Sequence, residues 1–237
     1  MAGIKISDLR VVFTIKDTKL RVIDGLDLAL DQDKITVILG KSGCGKTTLL
    51  RTIIGLEKTY EGIIDIDNLK LAYVFQEPRL MPWLNVYQNI TFGIKDYQQE
   101  DIDRLIALVG LEGFKQAHIN QLSGGMQSRV SIARALAHHA DFMLMDEPFS
   151  ALDYFTRLNI QKELLNIYHH NKLGILFVTH NIDEALILGH KIIVMGKGNI
   201  ISEYELNDQN RDLLDEKYIK LKKQIIHDIG GKNEENY

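Results

Sequence analysis

The sequence predicts an α/β fold, with an antiparallel β patch at the N-terminus and an inserted helical segment. Three observations predict it. From Ile35 onward, short apolar runs rich in β-formers alternate with helical patterns, the order expected of a parallel sheet covered on both faces. Before Ile35 the alternation is tighter, as in LDLAL at 26–30. Between residues 84 and 138 there is no convincing strand pattern.

The elements follow in order. Residues 4–30 read as the antiparallel patch. ITVIL (35–39) is the first buried strand, followed by the glycine-rich run GKSGCGKTT (40–48) and a helical pattern, TLLRTIIGL. LAYVF (71–75), FMLM (142–145), ILFVT (175–179) and IIVM (192–195) are further buried strands. In the helical segment, Ile102, Leu105, Ile106 and Val109 recur at i, i+3, i+4 and i+7, one apolar helix stripe. Leu214, Tyr218, Leu221 and Ile225 mark another helical face, and GGKNEENY (230–237) reads as a frayed tail.

Composition narrows the function. The 237 residues carry a formal net charge of −4, against a nucleic-acid partner, which usually meets a basic face. No apolar run approaches the ~18–20 residues that span a bilayer. The N-terminus lacks the pattern of a secretory signal. The one cysteine, Cys44, rules out an intrachain disulfide, and a reducing cytoplasm is the simplest reading. The histidines other than His180 show no metal-ligand pattern, so no structural metal is expected.

Gly40-x4-Gly45-Lys46-Thr47 lies between a strand and a helix, the context a phosphate-binding loop requires. Glycines let backbone N–H groups close round a phosphate, Lys46 supplies a point charge, and the Thr47 hydroxyl suits Mg²⁺. Gly40, Lys41, Ser42, Gly43, Cys44, Gly45, Lys46, Thr47 and Thr48 are the candidate nucleotide contacts. Cys44 reads as a small side chain that fits the loop, with redox control as the alternative. FMLMDEP (142–148) supplies the other half of such a site. Asp146 emerges from a buried strand to hold Mg²⁺, and Glu147 is the candidate base for an attacking water. In isolation, either motif would also suit a glycine-rich turn or a strand end with solvated acids.

LSGGMQSR (122–129) is a second candidate phosphate site: Ser123 before Gly124 and Gly125, with a helical pattern following. A plain helix cap is the other reading. With this motif added, the chain resembles the ATP-binding-cassette (ABC) ATPases from about Val11 to about Val194, with the motifs in family order. The resemblance implies a RecA-like P-loop NTPase core with ATP and Mg²⁺ as ligands. It implies a head-to-tail homodimer in the ATP-bound state, in which Ser123 and Gly125 contact the ATP held by the other subunit. It assigns Gln76 as the Q-loop glutamine reaching Mg²⁺ and water, Asp153 of SALD (150–153) as the D-loop residue, and His180 as the switch histidine. Phe13 becomes the adenine platform. The catalytic set is then Glu147, His180, Gln76 and Lys46, and the metal set Thr47, Gln76 and Asp146.

QEPRLMPWLNVYQNITFG (76–93) resembles the importer ATPases of the nitrate, sulfonate and taurine class. That implies an integral membrane permease docking near Trp83, an extracytoplasmic solute-binding protein, and a peripheral location on the cytoplasmic face of the membrane. Trp83, beside Leu80, Met81 and Leu84, would otherwise fill the helical core. One nucleotide-binding domain spans 1–237: residues 1–83 and 139–205 form the α/β core with its β patch, 84–138 the helical subdomain, and 206–237 the C-terminal helix and tail. Four departures stand out. The segment 55–76 is short, Gln127 and Ser128 replace a common Arg-Gln pair, Asn181 follows His180 where Asp is frequent, and Phe13 replaces a frequent Tyr. A soluble ABC ATPase not coupled to transport, or a nucleotide-binding regulator with little turnover, are the alternatives.

Overall fold

The computed structural model describes residues 3–230 except 172, 207, 209 and 210. The chain divides into two compact units, one built from the chain up to Leu69 and from Gly174 onward, the other from Lys70–Leu173. The first begins with β1 (Ile4–Ile15), β2 (Thr18–Leu30), β3 (Ile35–Gly40), α1 (Lys46–Ile53) and β4 (Tyr60–Asp65). The second holds β5 (Leu71–Val74), α2 (Val86–Thr91), α3 (Gln99–Leu108), α4 (Gly124–Ala137), β6 (Phe142–Asp146) and α5 (Tyr154–Asn171). The chain then returns to the first unit as β7 (Gly174–Val178), α6 (Ile182–Leu188), β8 (Lys191–Gly196), β9 (Asn199–Glu205) and α7 (Glu216–Gly230).

In the first unit β3 is buried at every position and pairs in parallel with β7 on one side and β8 on the other. Strands covered on both faces need near-continuous apolar sequence, which ITVIL and GILFV supply. Each Val, Ile or Leu so buried contributes about 1.5–3 kcal/mol. β9 closes this sheet antiparallel to β8. Its hairpin turns through Lys197 and Gly198, both at positive φ (50° and 80°), as two-residue hairpin turns of the favoured hand demand. β1 is the middle strand of a separate antiparallel sheet, between β2 and β4. The turn after β4 is tight: Leu69 N–H donates to the Ile66 carbonyl (2.9 Å) across Asp67 and Asn68, both at positive φ. This short connection lies within the segment that reads as trimmed in sequence.

In the second unit β5 and β6 pair in parallel from Leu71↔Phe142 to Val74↔Met145. Helices α2, α3 and α4 share a core of Val86, Ile90, Ile102, Ile106, Val130 and Ala133 among others. The predicted stripe on α3 is buried at Ile102, Ile106 and Val109, with Leu105 packed beside them. Arg129 on α4 ties these helices together, donating to the Val109 and Gly110 carbonyls at the end of α3 (2.8 and 3.1 Å). A cation suits the negative end of a helix.

The expected C-terminal stripe is only partly right. Tyr218 and Ile225 are buried on α7, but Leu214 precedes the helix and is 82% exposed. A helical period cannot show where the helix starts, and Leu214 falls before its first turn. Of the expected tail, Gly230 ends α7 and residues 231–237 lie outside the described residues. No described helix is long and apolar enough to cross a membrane.

Gly198 is a demanding backbone position in the first unit. A Cβ there would lie 2.4 Å from the Val22 carbonyl oxygen, at a φ of +80°. Gly198→Ala is therefore expected to lower stability by about 1–3 kcal/mol. The measurement is the urea midpoint, and an unshifted midpoint would contradict this account of the turn.

Candidate functional site

In the first unit the loop 40–48 leaves the carboxyl end of β3 and enters α1. Gly43 and Gly45 adopt φ of +79° and +108°, which L side chains rarely take. Gly45 is the residue before α1, and no side chain caps that helix end. The first turn carries no acid. Its backbone N–H groups and positive dipole thus meet no side-chain acceptor of the helix's own, the arrangement that receives a phosphate.

Lys46 is 6% exposed, and its Nζ donates to the Gly40 carbonyl (2.8 Å) and the Lys41 carbonyl (3.1 Å). The loop folds round its own ammonium, so the charge is held in place. Cys44 is buried, with Sγ 3.9 Å from Lys46 Nζ. Thr47 and Thr48 are half-buried, whereas Lys41, Ser42 and Gly43 are exposed. Lys41 donates to the carbonyl of Gly230 at the end of α7 (3.1 Å).

The loop is braced from behind. Gly198 N–H donates to the Cys44 carbonyl (3.1 Å), and Asp24 N–H to the Gly198 carbonyl (3.4 Å). A Cβ on Gly45 would lie 3.0 Å from the Val22 oxygen. The β1–β2 hairpin thus runs beside the loop, and its pair Phe13↔Leu20 carries a half-buried Phe13.

His180 lies in the same unit by register. Ile38 pairs with Val178, so Gly40 and His180 each stand two residues beyond a matched pair of parallel strands. Thr179 fastens this end, with its N–H on the Ile38 carbonyl (3.1 Å) and its hydroxyl on Glu184 (2.6 Å). Asn181 caps α6 by accepting from Asp183 N–H (2.9 Å) and Glu184 N–H (3.4 Å). Asn caps a helix as well as Asp does, so this departure leaves the local structure intact. Arg211 holds the far end of α6 through the Leu186 and Gly189 carbonyls (2.8 and 2.6 Å). Burial lowers its guanidinium pKa.

The second unit gathers the other residues. Val74 pairs with Met145, so Gln76 and Glu147 each stand two residues beyond the same rung of β5–β6. Asp146 is 3% exposed and accepts a hydrogen bond from the Tyr73 hydroxyl (3.2 Å). Glu147 has a φ of +45°, strained backbone for a residue with a Cβ. Such strain costs of order 1–3 kcal/mol and clusters at functional sites.

Ser123 caps α4, its hydroxyl accepting from Met126 N–H (3.3 Å). Ser123 and Gly124 are exposed and Gly125 half-buried. A Cβ on Gly125 would lie 3.2 Å from the Ala151 carbonyl oxygen, so the SALD turn packs against the start of α4. Asp153 accepts from Thr156 N–H (3.0 Å) at the head of α5, and its bonds to Thr156 hold its carboxyl below the usual range. Gln127 turns back, donating to the Ile119 and Leu122 carbonyls (3.1 and 3.2 Å), and Ser128 donates to the Gly124 carbonyl (3.2 Å). These two departures from the usual pair thus serve local structure.

The candidate residues therefore form two sets. Phe13, the loop 40–48 and His180 belong to the first unit. Gln76, Ser123, Gly124, Gly125, Asp146, Glu147 and Asp153 belong to the second. Tyr73 and Gly198 escaped the sequence reading. A Lys-Gly pair is a readable turn signal for Gly198; Tyr73 carries none.

The protein-family model for the ABC transporter matches residues 23–150. The chain belongs to the ABC transporter family. It is 45% identical to the aliphatic sulfonates import ATP-binding protein SsuB 1 of Pseudomonas syringae pv. syringae, over 88% of this chain and 90% of that protein. It is 38% identical to the uncharacterized ABC transporter ATP-binding protein MJ0412 of Methanocaldococcus jannaschii, over 94% of this chain and 90% of that one. Among solved structures it resembles the ATP-binding cassette MJ0796, a dimer in a post-hydrolysis state bound to ADP and Pi. The TM-score is 0.80 at 28% identity, over 86% of this chain and 99% of that one. The chain is an ABC ATPase with a P-loop NTPase fold.

Gly45 tests the loop. Gly45→Ala must strain its backbone or displace Val22, turning the N–H groups away from a phosphate. ATP affinity is expected to fall about tenfold or more, equivalent to at least about 1.4 kcal/mol. Calorimetry on the folded variant measures it, and wild-type affinity would contradict the loop's role.

Proposed function

We propose that this protein is the ATP-hydrolysing subunit of an importer for a small oxyanionic solute of the sulfonate, taurine or nitrate kind. The whole chain acts as one nucleotide-binding domain, with 84–138 as its helical subdomain and 206–237 as its C-terminal helix and tail. It works on the cytoplasmic face of the membrane with an integral permease and an extracytoplasmic solute-binding protein, and nucleic acid is no partner. The observation that carries the membrane partner is Trp83. It is 69% exposed at the tip of a turn, with Phe92 49% exposed nearby in sequence, so it does not fill the helical core. Tryptophan is enriched among the side chains that anchor protein interfaces, and its projection from a turn suits burial against a partner's helix. The import ATP-binding relatives support the direction and the solute class.

The chemistry follows from the two sets of residues. Residues 40–48 bind the phosphates of one ATP through backbone N–H groups, and the buried Lys46 adds the charge that lets β- and γ-phosphates approach. Phe13 stacks on adenine. Thr47, Asp146 and Gln76 are oxygen donors, the chemistry Mg²⁺ prefers. When bound there, Mg²⁺ would neutralise charge on the phosphates. Glu147 takes a proton from the attacking water, and its strained backbone fixes the direction of its carboxylate. His180 orients the γ-phosphate from the end of β7.

Ser123, Gly124 and Gly125 offer N–H groups at the head of α4 to the ATP of a second copy, with Asp153 beside them. One chain carries two phosphate cradles because each serves a different nucleotide. Two-fold pairing then yields two composite sites from one repeated surface. ATP closes the pair, hydrolysis reopens it, and the permease converts the motion into alternating access.

Glu147→Gln keeps the shape and removes the base. Turnover is expected to fall roughly 10²- to 10⁴-fold, while MgATP still binds and holds the dimer on size-exclusion chromatography. Hydrolysis at the wild-type rate would contradict the assignment.

A further inference from the structure

Trp83 stands on a turn whose shape is set from below by one buried side chain. Met81, Pro82, Trp83 and Leu84 form a β-turn, closed by Leu84 N–H donating to the Met81 carbonyl (3.1 Å). Pro82 takes the second position, where its fixed φ is favourable, and Trp83 the third. Beneath it, Asn89 on α2 is 0% exposed. Its Oδ1 accepts from Met81 N–H (2.8 Å). Its Nδ2 donates to the carbonyls of Met81 (3.1 Å), Leu84 (3.3 Å) and Asn85 (3.0 Å). One carboxamide therefore grips both ends of the turn, sharing two hydrogens among three carbonyls.

The support beneath Asn89 is rigid. Val86 and Ile90 on the same helix are fully buried in the core of the helical segment. A reciprocal Asn85–Gln88 capping box fixes the start of α2. Val86 and Tyr87 N–H groups donate to the Ala117 and Lys115 carbonyls (3.0 and 3.1 Å). On the other side of the turn, Leu80 packs on the same core, and Arg134 of α4 donates to the Arg79 carbonyl (2.8 Å). The chain is anchored on both flanks, and Pro82 and Trp83 project. A buried amide is kept only when its polar atoms are satisfied, and here the atoms that satisfy it are those of the turn.

From this geometry we infer that Asn89 is the positioning residue for the partner-docking turn: it holds Trp83 in the orientation that the permease meets. The inference rests on Trp83 being the docking projection. Without the clamp the turn samples other shapes, and apparent affinity falls with the fraction that remains competent. ATP hydrolysis by the isolated protein is untouched, because Asn89 contacts none of the nucleotide residues.

Trp83 is the only tryptophan, so its fluorescence reports the turn directly. The test compares Asn89→Ala with Ile90→Ala, which empties the same core without touching the turn. Asn89→Ala is expected to lower Trp83 anisotropy and raise acrylamide quenching, whereas Ile90→Ala leaves both as in wild type. An unchanged Trp83 signal in Asn89→Ala, or an equal change in Ile90→Ala, would overturn the clamp.

Saturable re-binding to salt-stripped membranes of the native cells then reads the functional half. Asn89→Ala and Trp83→Ala should each bind about tenfold more weakly, with soluble ATPase activity intact. If only Trp83→Ala weakens binding, Asn89 does not position the turn for docking, although the docking reading stands. If neither does, the docking reading fails and the functional claim for Asn89 with it.

Discussion

Parallel pairing of β3 on both its edges is the constraint from which the phosphate loop follows. A strand flanked in parallel by β7 and β8 has no free hydrogen-bonding edge, and its six residues are all buried. The loop that follows leaves at the carboxyl end, which parallel pairing puts level with the carboxyl end of β7. That placement aligns Gly40 with His180 by register alone. It also sets α1 to begin where the strand stops, so the helix's first N–H groups point back over the loop. The second unit repeats the logic on a smaller scale, where the β5–β6 pairing brings Gln76 level with Glu147.

Backbone geometry carries more of the site than side chains do. Gly43, Gly45 and Glu147 all sit at positive φ, and Gly198 braces the loop through a turn that needs two such residues. At Glu147 the conformation is costly and at the glycines it is not, and neighbouring contacts hold each in place: the Cys44 carbonyl on Gly198, the Val22 carbonyl against Gly45, the β5–β6 pairing just before Glu147. The tight turn at Ile66–Leu69 shares no residue with this bracing. Gln127 and Ser128 spend their side chains on local carbonyls, which leaves Ser123 and Gly124 exposed at the head of α4.

The parallel strands were readable because burial on both faces demands unbroken apolar runs, and ITVIL, FMLM and ILFVT satisfy that demand. β4 and β9 were not. β4 is exposed at all but one of its positions, and β9 alternates, so neither carries a run. The α3 stripe was readable from its period, whereas Leu214 extended a period past the point where the helix begins. The loop residues were readable because phosphate chemistry fixes their spacing. Asn89 was not readable, since an Asn in a short helical stretch looks the same whether it faces solvent or grips a turn. The strain at Glu147 and the projection of Trp83 are likewise facts of folding that spacing does not encode.

The central claim is that each ATP is shared between two copies of the chain. Its most direct test mixes two variants that are each inactive alone, Lys46→Ala and Ser123→Arg, and measures MgATP turnover of the mixture. If the loop of one copy works with the signature of the other, a mixed dimer contains one intact composite site, and turnover returns on mixing. If both cradles serve the same copy's nucleotide, every site in the mixture stays broken. A mixture as inactive as its components, with mixed dimers shown to form, would contradict the account.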